Sequence, residues 1–153
     1  MQKGPFLFDS HALLKFFQKE EGYEKILRLL EDIKETGLTK YINAINLGEI
    51  IYSTKREFGD QKKLEVLAHT ERLNFAILPV PNELIFQAAE YKAQYSISYA
   101  DSFALASAIV QDVNNLQKLL LKVRKVPSAF PQRPEIQGNQ YGVKRHGGQA
   151  SPS

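Results

Sequence analysis

Three stretches of this sequence are almost empty of charge, and each of them contains one acid. Between Lys3 and Lys15 the only charged residue is Asp9; between Lys40 and Lys55 it is Glu49; between Lys92 and Asp112 it is Asp101. In a chain that is 24% charged, such clearings mark segments destined for the interior. An ionised carboxylate there costs several kcal/mol unless something compensates it. Any fold for this chain must bury the three clearings and also account for the acid in each.

The periodicity around them alternates between strand and helix. Pro5 to Phe8 reads as a short apolar strand, followed by a helix capped by Ser10 that holds Ala12, Leu13, Leu14, Phe16 and Phe17. Tyr23, Ile26, Leu27, Leu29, Leu30 and Ile33 recur at helical spacing up to Gly37. Tyr41 to Ile45 is a second strand, Asn46 to about Phe58 a helix stopping at Gly59, and Lys62 to Leu73 a charged amphipathic helix. Phe75 to Val80 reads as a buried strand bounded by Pro81, with further helices over Glu83 to Tyr95 and Tyr99 to about Asp112. Strands separated by helices predict an α/β fold, a parallel sheet flanked by helices on both faces. Sites in such sheets lie at the carboxyl ends of the strands, so residues just after strands carry the functional weight.

Composition removes several function classes. The chain has 153 residues, one domain's worth, and 43% of them are hydrophobic, which rules out wholesale disorder. There are no cysteines, so disulfides, thiolate metal sites and Cys nucleophiles are excluded. His11, His69 and His146 show no paired metal spacing. No signal-peptide pattern and no membrane-spanning apolar run is visible, so the expected location is the cytoplasm, with no membrane partner.

Each isolated acid has a structural explanation. Asp9 or Ser10 can cap the helix that follows, and Asn46 with Glu49, or Ser98 with Asp101, has the spacing of a capping box. Taken together, the three acids fall at a strand end or in a first helical turn, with no basic partner in their own windows. Carboxylates that meet without cations repel one another, and a divalent metal resolves that repulsion. Oxygen ligands without His or Cys point to Mg²⁺ or Mn²⁺. A carboxylate cluster holding such ions is suited to phosphodiester hydrolysis, in which the ion activates water and stabilises charge on the phosphate.

The segments FLFDSHALL (6–14), INAINLGEIIYSTKREFG (42–59) and ISYADSFALASAI (97–109), with PNELIFQAAEYKAQY (81–95) between the last two, resemble PIN-domain ribonucleases. The resemblance is specifically to VapC-type toxins of toxin-antitoxin pairs, and it covers roughly residues 5–112. It implies a parallel sheet between helices, a Mg²⁺ or Mn²⁺ site, endoribonuclease activity on RNA, a homodimer, and inhibition by a cognate antitoxin. It places Asp9, Glu49 and Asp101 at the first three acidic ligand positions, with Ser10 as an accompanying polar residue. Lys55 and Arg56, in a basic run near Glu49, could hold RNA phosphates or form a solvated helix end.

The resemblance breaks down after Asp112. The family continues into an apolar strand and a fourth acid or Asn, but Val110 to Val126 reads VQDVNNLQKLLLKVRKV. Asp112 is eleven residues along the same helix from Asp101, about 16 Å, too far to share an ion. Divergence, a water in place of the fourth ligand, or a reading-frame change would each explain the break. The expected organisation is a domain over 1–121, its pattern clear to about 112, and a basic Pro/Gly-rich tail over 122–153, disordered or non-native. That tail carries six basic residues and one acid, a net of +5, leaving −2 for the rest of a chain whose total is +3. The basicity is therefore not spread over the domain. An inactive interaction protein of the same fold, with an incomplete metal site, is the alternative reading.

Overall fold

A computed structural model describes residues 5–111. Three parallel strands, β1 (Phe6–Phe8), β2 (Lys40–Asn43) and β3 (Ala76–Leu78), form a sheet in the order β1-β2-β3. The helices are α1 (Ser10–Gln18), α2 (Tyr23–Thr36), α3 (Ala44–Leu73), α4 (Asn82–Gln94) and α5 (Tyr99–Val110).

The register explains how both faces of the sheet are covered. Leu7 pairs with Tyr41 and Phe8 with Ile42, so side chains alternate between the two faces in step. Phe6, Phe8 and Ile42 join Leu13, Phe17, Leu30, Ile33, Ile50 and Val66 from α1, α2 and α3 in one core cluster. Leu7 joins Ala104 and Ala108 of α5 in a cluster against which Tyr41 and Leu78 pack. A third cluster, with Leu84, Ala88 and Tyr91 of α4 and Phe103, Leu105 and Ala106 of α5, fastens α4 to the outside of α5. Small residues make this possible: with Ala104, Ala106 and Ala108 all buried, α5 can approach both the sheet and α4 closely.

Several sequence expectations hold, and others move. Gly37 ends α2 in the left-handed conformation, φ 69°, as a C-terminal glycine should. Gly59 breaks α3 with φ 84° and ψ −175°, so the two helical arms meet at a residue that only glycine occupies without strain. β2 ends at Asn43 rather than Ile45, and α3 starts earlier because Asn43, not Asn46, is its cap: Asn43 Oδ1 accepts from the Ile45 amide at 2.8 Å. The run Phe75 to Val80 is not a buried strand. Only Ala76–Leu78 pairs, at the edge of the described sheet, and Ala76 and Ile77 are exposed. The expectations about the fourth acid, the 122–153 tail and a frame change lie outside the described residues.

Candidate active site

β1 ends at Phe8, and the chain turns directly into α1. Asp9 makes the turn: its Oδ1 accepts from the Ala12 amide at 2.7 Å, so Asp9, rather than Ser10, is the cap. That role alone does not require burial, yet Asp9 is only 5% exposed. Its carboxyl is pushed up from 3.8 to about 6. Burial is the largest cause; the Ala12 amide opposes it, the Asp101 charge adds to it, His11 opposes, and Glu49 adds to it. The charges of Asp101 and Glu49 thus reach Asp9 across the end of the sheet.

Glu49 and Asp101 arrive by different routes. Glu49 lies in the second turn of α3 and accepts a short hydrogen bond from the Ser10 hydroxyl; Tyr52, one turn further on, reaches its other oxygen at 3.5 Å. Asp101 lies in the first turn of α5, where Ser98 Oγ accepts from its amide at 3.0 Å. Ser98 is therefore the cap and leaves the Asp101 carboxylate free of that duty. The N-termini of α1 and α5 both meet here, and their partial positive charge favours carboxylates. None of the ion pairs among the described residues involves Asp9, Glu49 or Asp101.

The sequence reading of Asn46 as a helix cap missed its placement. Asn46 is fully buried, and its amide nitrogen lies 3.1 Å from the Ala100 carbonyl and 3.4 Å from Ser10 Oγ. Among the described residues its Oδ1 is buried without a partner, an arrangement that costs about 1–3 kcal/mol. A polar residue in the middle of the Glu49 clearing was the available signal. Asn43, also fully buried, plays a different part. It donates to Ser107 Oγ at 2.7 Å and pins the far end of α5 to the sheet.

The basic candidates separate by helical phase. Arg56 is seven residues past Glu49, two turns along the same face at about 100° per residue, and its guanidinium lies 5.7 Å from the centre of the exposed Tyr52 ring. Lys55 points elsewhere and pairs with Asp60 at 3.2 Å. His11 is exposed on α1.

The donor set, oxygen without sulfur, suits a hard divalent cation in kind, and the acids' mutual repulsion supplies a reason to bind one. Spacing is the difference: among the described residues no group of three or more His, Cys, Asp or Glu side chains is close enough to hold an ion. Also among these residues, no helix is long and apolar enough to cross a membrane.

A family model described as PIN domain matches residues 6–118. No curated protein matches the sequence. Among solved structures, VapC20 of Mycobacterium tuberculosis, described as a toxin that cleaves the sarcin-ricin loop, is similar at 16% identity and a TM-score of 0.56, covering 72% of this chain and 85% of that one. VapBC2 of Rickettsia felis, bound to a DNA fragment from its promoter, has the same identity and TM-score over 78% of this chain and 92% of that one. DNA-bound VapBC of Salmonella typhimurium matches at 16% identity and a TM-score of 0.50, over 69% and 80%. At such identities the likeness is one of fold.

Proposed function

The chain belongs to the PIN domain family, and on that premise we propose that it is a Mg²⁺- or Mn²⁺-dependent endoribonuclease, the toxin of a toxin-antitoxin pair. The observation that supports this reading is the convergence of Asp9, Glu49 and Asp101 at the carboxyl end of the sheet: burial first, and then the Asp101 and Glu49 charges, push the Asp9 carboxyl up to about 6, and no ion pair among the described residues involves any of the three. Nothing in the fold needs three acids at that point, since one cap per helix would suffice.

Asp9, Glu49 and Asp101 are the acids that would hold the cation, with their carboxylates drawn closer together than they stand among the described residues. When bound, it supplies charge stabilisation at the phosphate and an activated water. The chain's own residues prepare the place. Ser10 orients Glu49, Ser98 relieves Asp101 of capping, and burial at the end of β1 gives Asp9 a low-dielectric setting in which neighbouring charges act strongly. Arg56, on the face of α3 that carries Glu49, would meet an RNA phosphate, whereas Lys55 is engaged by Asp60. The VapBC structures similar to this fold support a cognate antitoxin as partner. A homodimer and a cytoplasmic location complete the proposal.

One observation favours a second reading, a non-catalytic PIN-fold interaction protein: no three acids stand at metal-binding spacing among the described residues. A panel of RNAs incubated with the purified protein in Mg²⁺, in Mn²⁺ and in EDTA separates the two. Cleavage that requires the ion supports the nuclease. Intact RNA in every arm supports the interaction protein.

A further inference from the structure

We propose that Asn46 is a positioning residue of the acid site, whose single amide sets the placement of two of the three carboxylates. The inference rests on the nuclease reading and deepens it. Asn46 donates to the Ala100 carbonyl, the peptide oxygen immediately before Asp101, and to Ser10 Oγ, whose own proton goes to Glu49. One side chain on α3 thus holds the first turn of α5 and, through Ser10, the start of α1. Remove the amide and Asp101 and Glu49 each lose a constraint while Asp9, capped by its own contact with Ala12, keeps its place.

Burial argues that this is more than a fold contact. Asn46 is 0% exposed and, among the described residues, leaves Oδ1 unpartnered, a desolvation cost that an apolar side chain would not carry. A polar residue retained at that cost is explained by what it orients. Asn43 supplies the contrast on the same segment: equally buried, it caps α3 and pins Ser107, but touches no part of the acid network.

The test compares Asn46→Ala with Asn43→Ala in the full chain, measuring melting temperature, Mn²⁺ affinity by calorimetry without RNA, and kcat and KM on a cleaved RNA. Outer hydrogen-bond partners of metal ligands typically change affinity or activity by about 10- to 100-fold. Asn46→Ala is expected to weaken Mn²⁺ binding and lower kcat by about tenfold or more, with KM unchanged. Asn43→Ala is expected to melt lower while binding Mn²⁺ like the parent. Wild-type Mn²⁺ affinity in Asn46→Ala overturns the proposal, and so does an equal loss in both variants, which would make the effect structural. Should Asn46→Ala fail to fold, Asn46→Ser keeps one donor: an intermediate loss supports the proposal and full affinity overturns it. A parent that binds Mn²⁺ but cleaves no RNA removes the nuclease reading and leaves the role of Asn46 standing; a parent that binds no Mn²⁺ removes both.

Discussion

The amide nitrogen of Asn46 lies 3.1 Å from the carbonyl oxygen of Ala100, so the helix carrying Glu49 grips the helix carrying Asp101 one residue before the acid. That contact brings two charge-free clearings of the sequence together, and the Ser10 contact adds the third. Three buried polar residues, Asp9, Ser10 and Asn46, thereby stand where α1, α3 and α5 meet the carboxyl end of β1.

Asp9 makes folding stability depend on pH in an unusual direction for an acid. In the folded chain its carboxyl is raised to about 6 from 3.8, so between those values the native state binds more proton than the unfolded one. The contribution is fully present below the ordinary value and is lost as pH rises through about 6. At about 1.4 kcal/mol per pKa unit the loss approaches about 3 kcal/mol. Asp9→Asn keeps an acceptor for the Ala12 amide and removes the titration. In metal-free buffer, urea unfolding should show the advantage of Asp9→Asn over the parent growing from near zero at about pH 4 to about 3 kcal/mol at about pH 7. An advantage independent of pH would show that Asp9 is not buried as described.

Gly59 joins the two arms of α3 at φ 84° and ψ −175°. An added Cβ would meet nothing within 4 Å, so the cost of Gly59→Ala is one of backbone conformation alone, about 1–3 kcal/mol. Urea denaturation is expected to show a lower midpoint with an unchanged slope. A midpoint at or above the parent's would mean that the arms accept a continuous helix.

Arg56 and Lys55 are adjacent in sequence and differ in what they face. Arg56 lies over Tyr52 on the Glu49 side, and Lys55 pairs with Asp60. Arg56→Ala should weaken RNA binding and reduce the slope of log affinity against log salt by about one. Lys55→Ala should leave both nearly unchanged. Binding measured at several salt concentrations checks this, and the reverse ranking would contradict the assignment.

These contrasts also mark what could be read from the sequence. The clearings around Asp9, Glu49 and Asp101 were legible because an isolated acid among apolar residues is costly. Gly37 and Gly59 were legible as stops because few other residues take their backbone angles. The Ser98 and Asp101 spacing was legible as a cap, and the structure shows half of that box, Ser98 accepting from the Asp101 amide. Asn46 was not, since Asn43 and Asn46 offer two caps three residues apart, and local spacing cannot say which one faces α5. Nor was the exposure of Ile77, 55% accessible at the described sheet edge: an apolar run shows that a strand forms, not which of its sides is covered.

The central claim is that the acids gathered around Asp9 perform metal-dependent RNA cleavage. Its most direct test is the rate of RNA cleavage in Mn²⁺ by the parent and by Asp9→Asn, with folding of both confirmed by melting. The account predicts cleavage by the parent and a loss of about 100-fold or more in a variant that is at least as stable. Equal cleavage by the two proteins, or none by the parent, would contradict it.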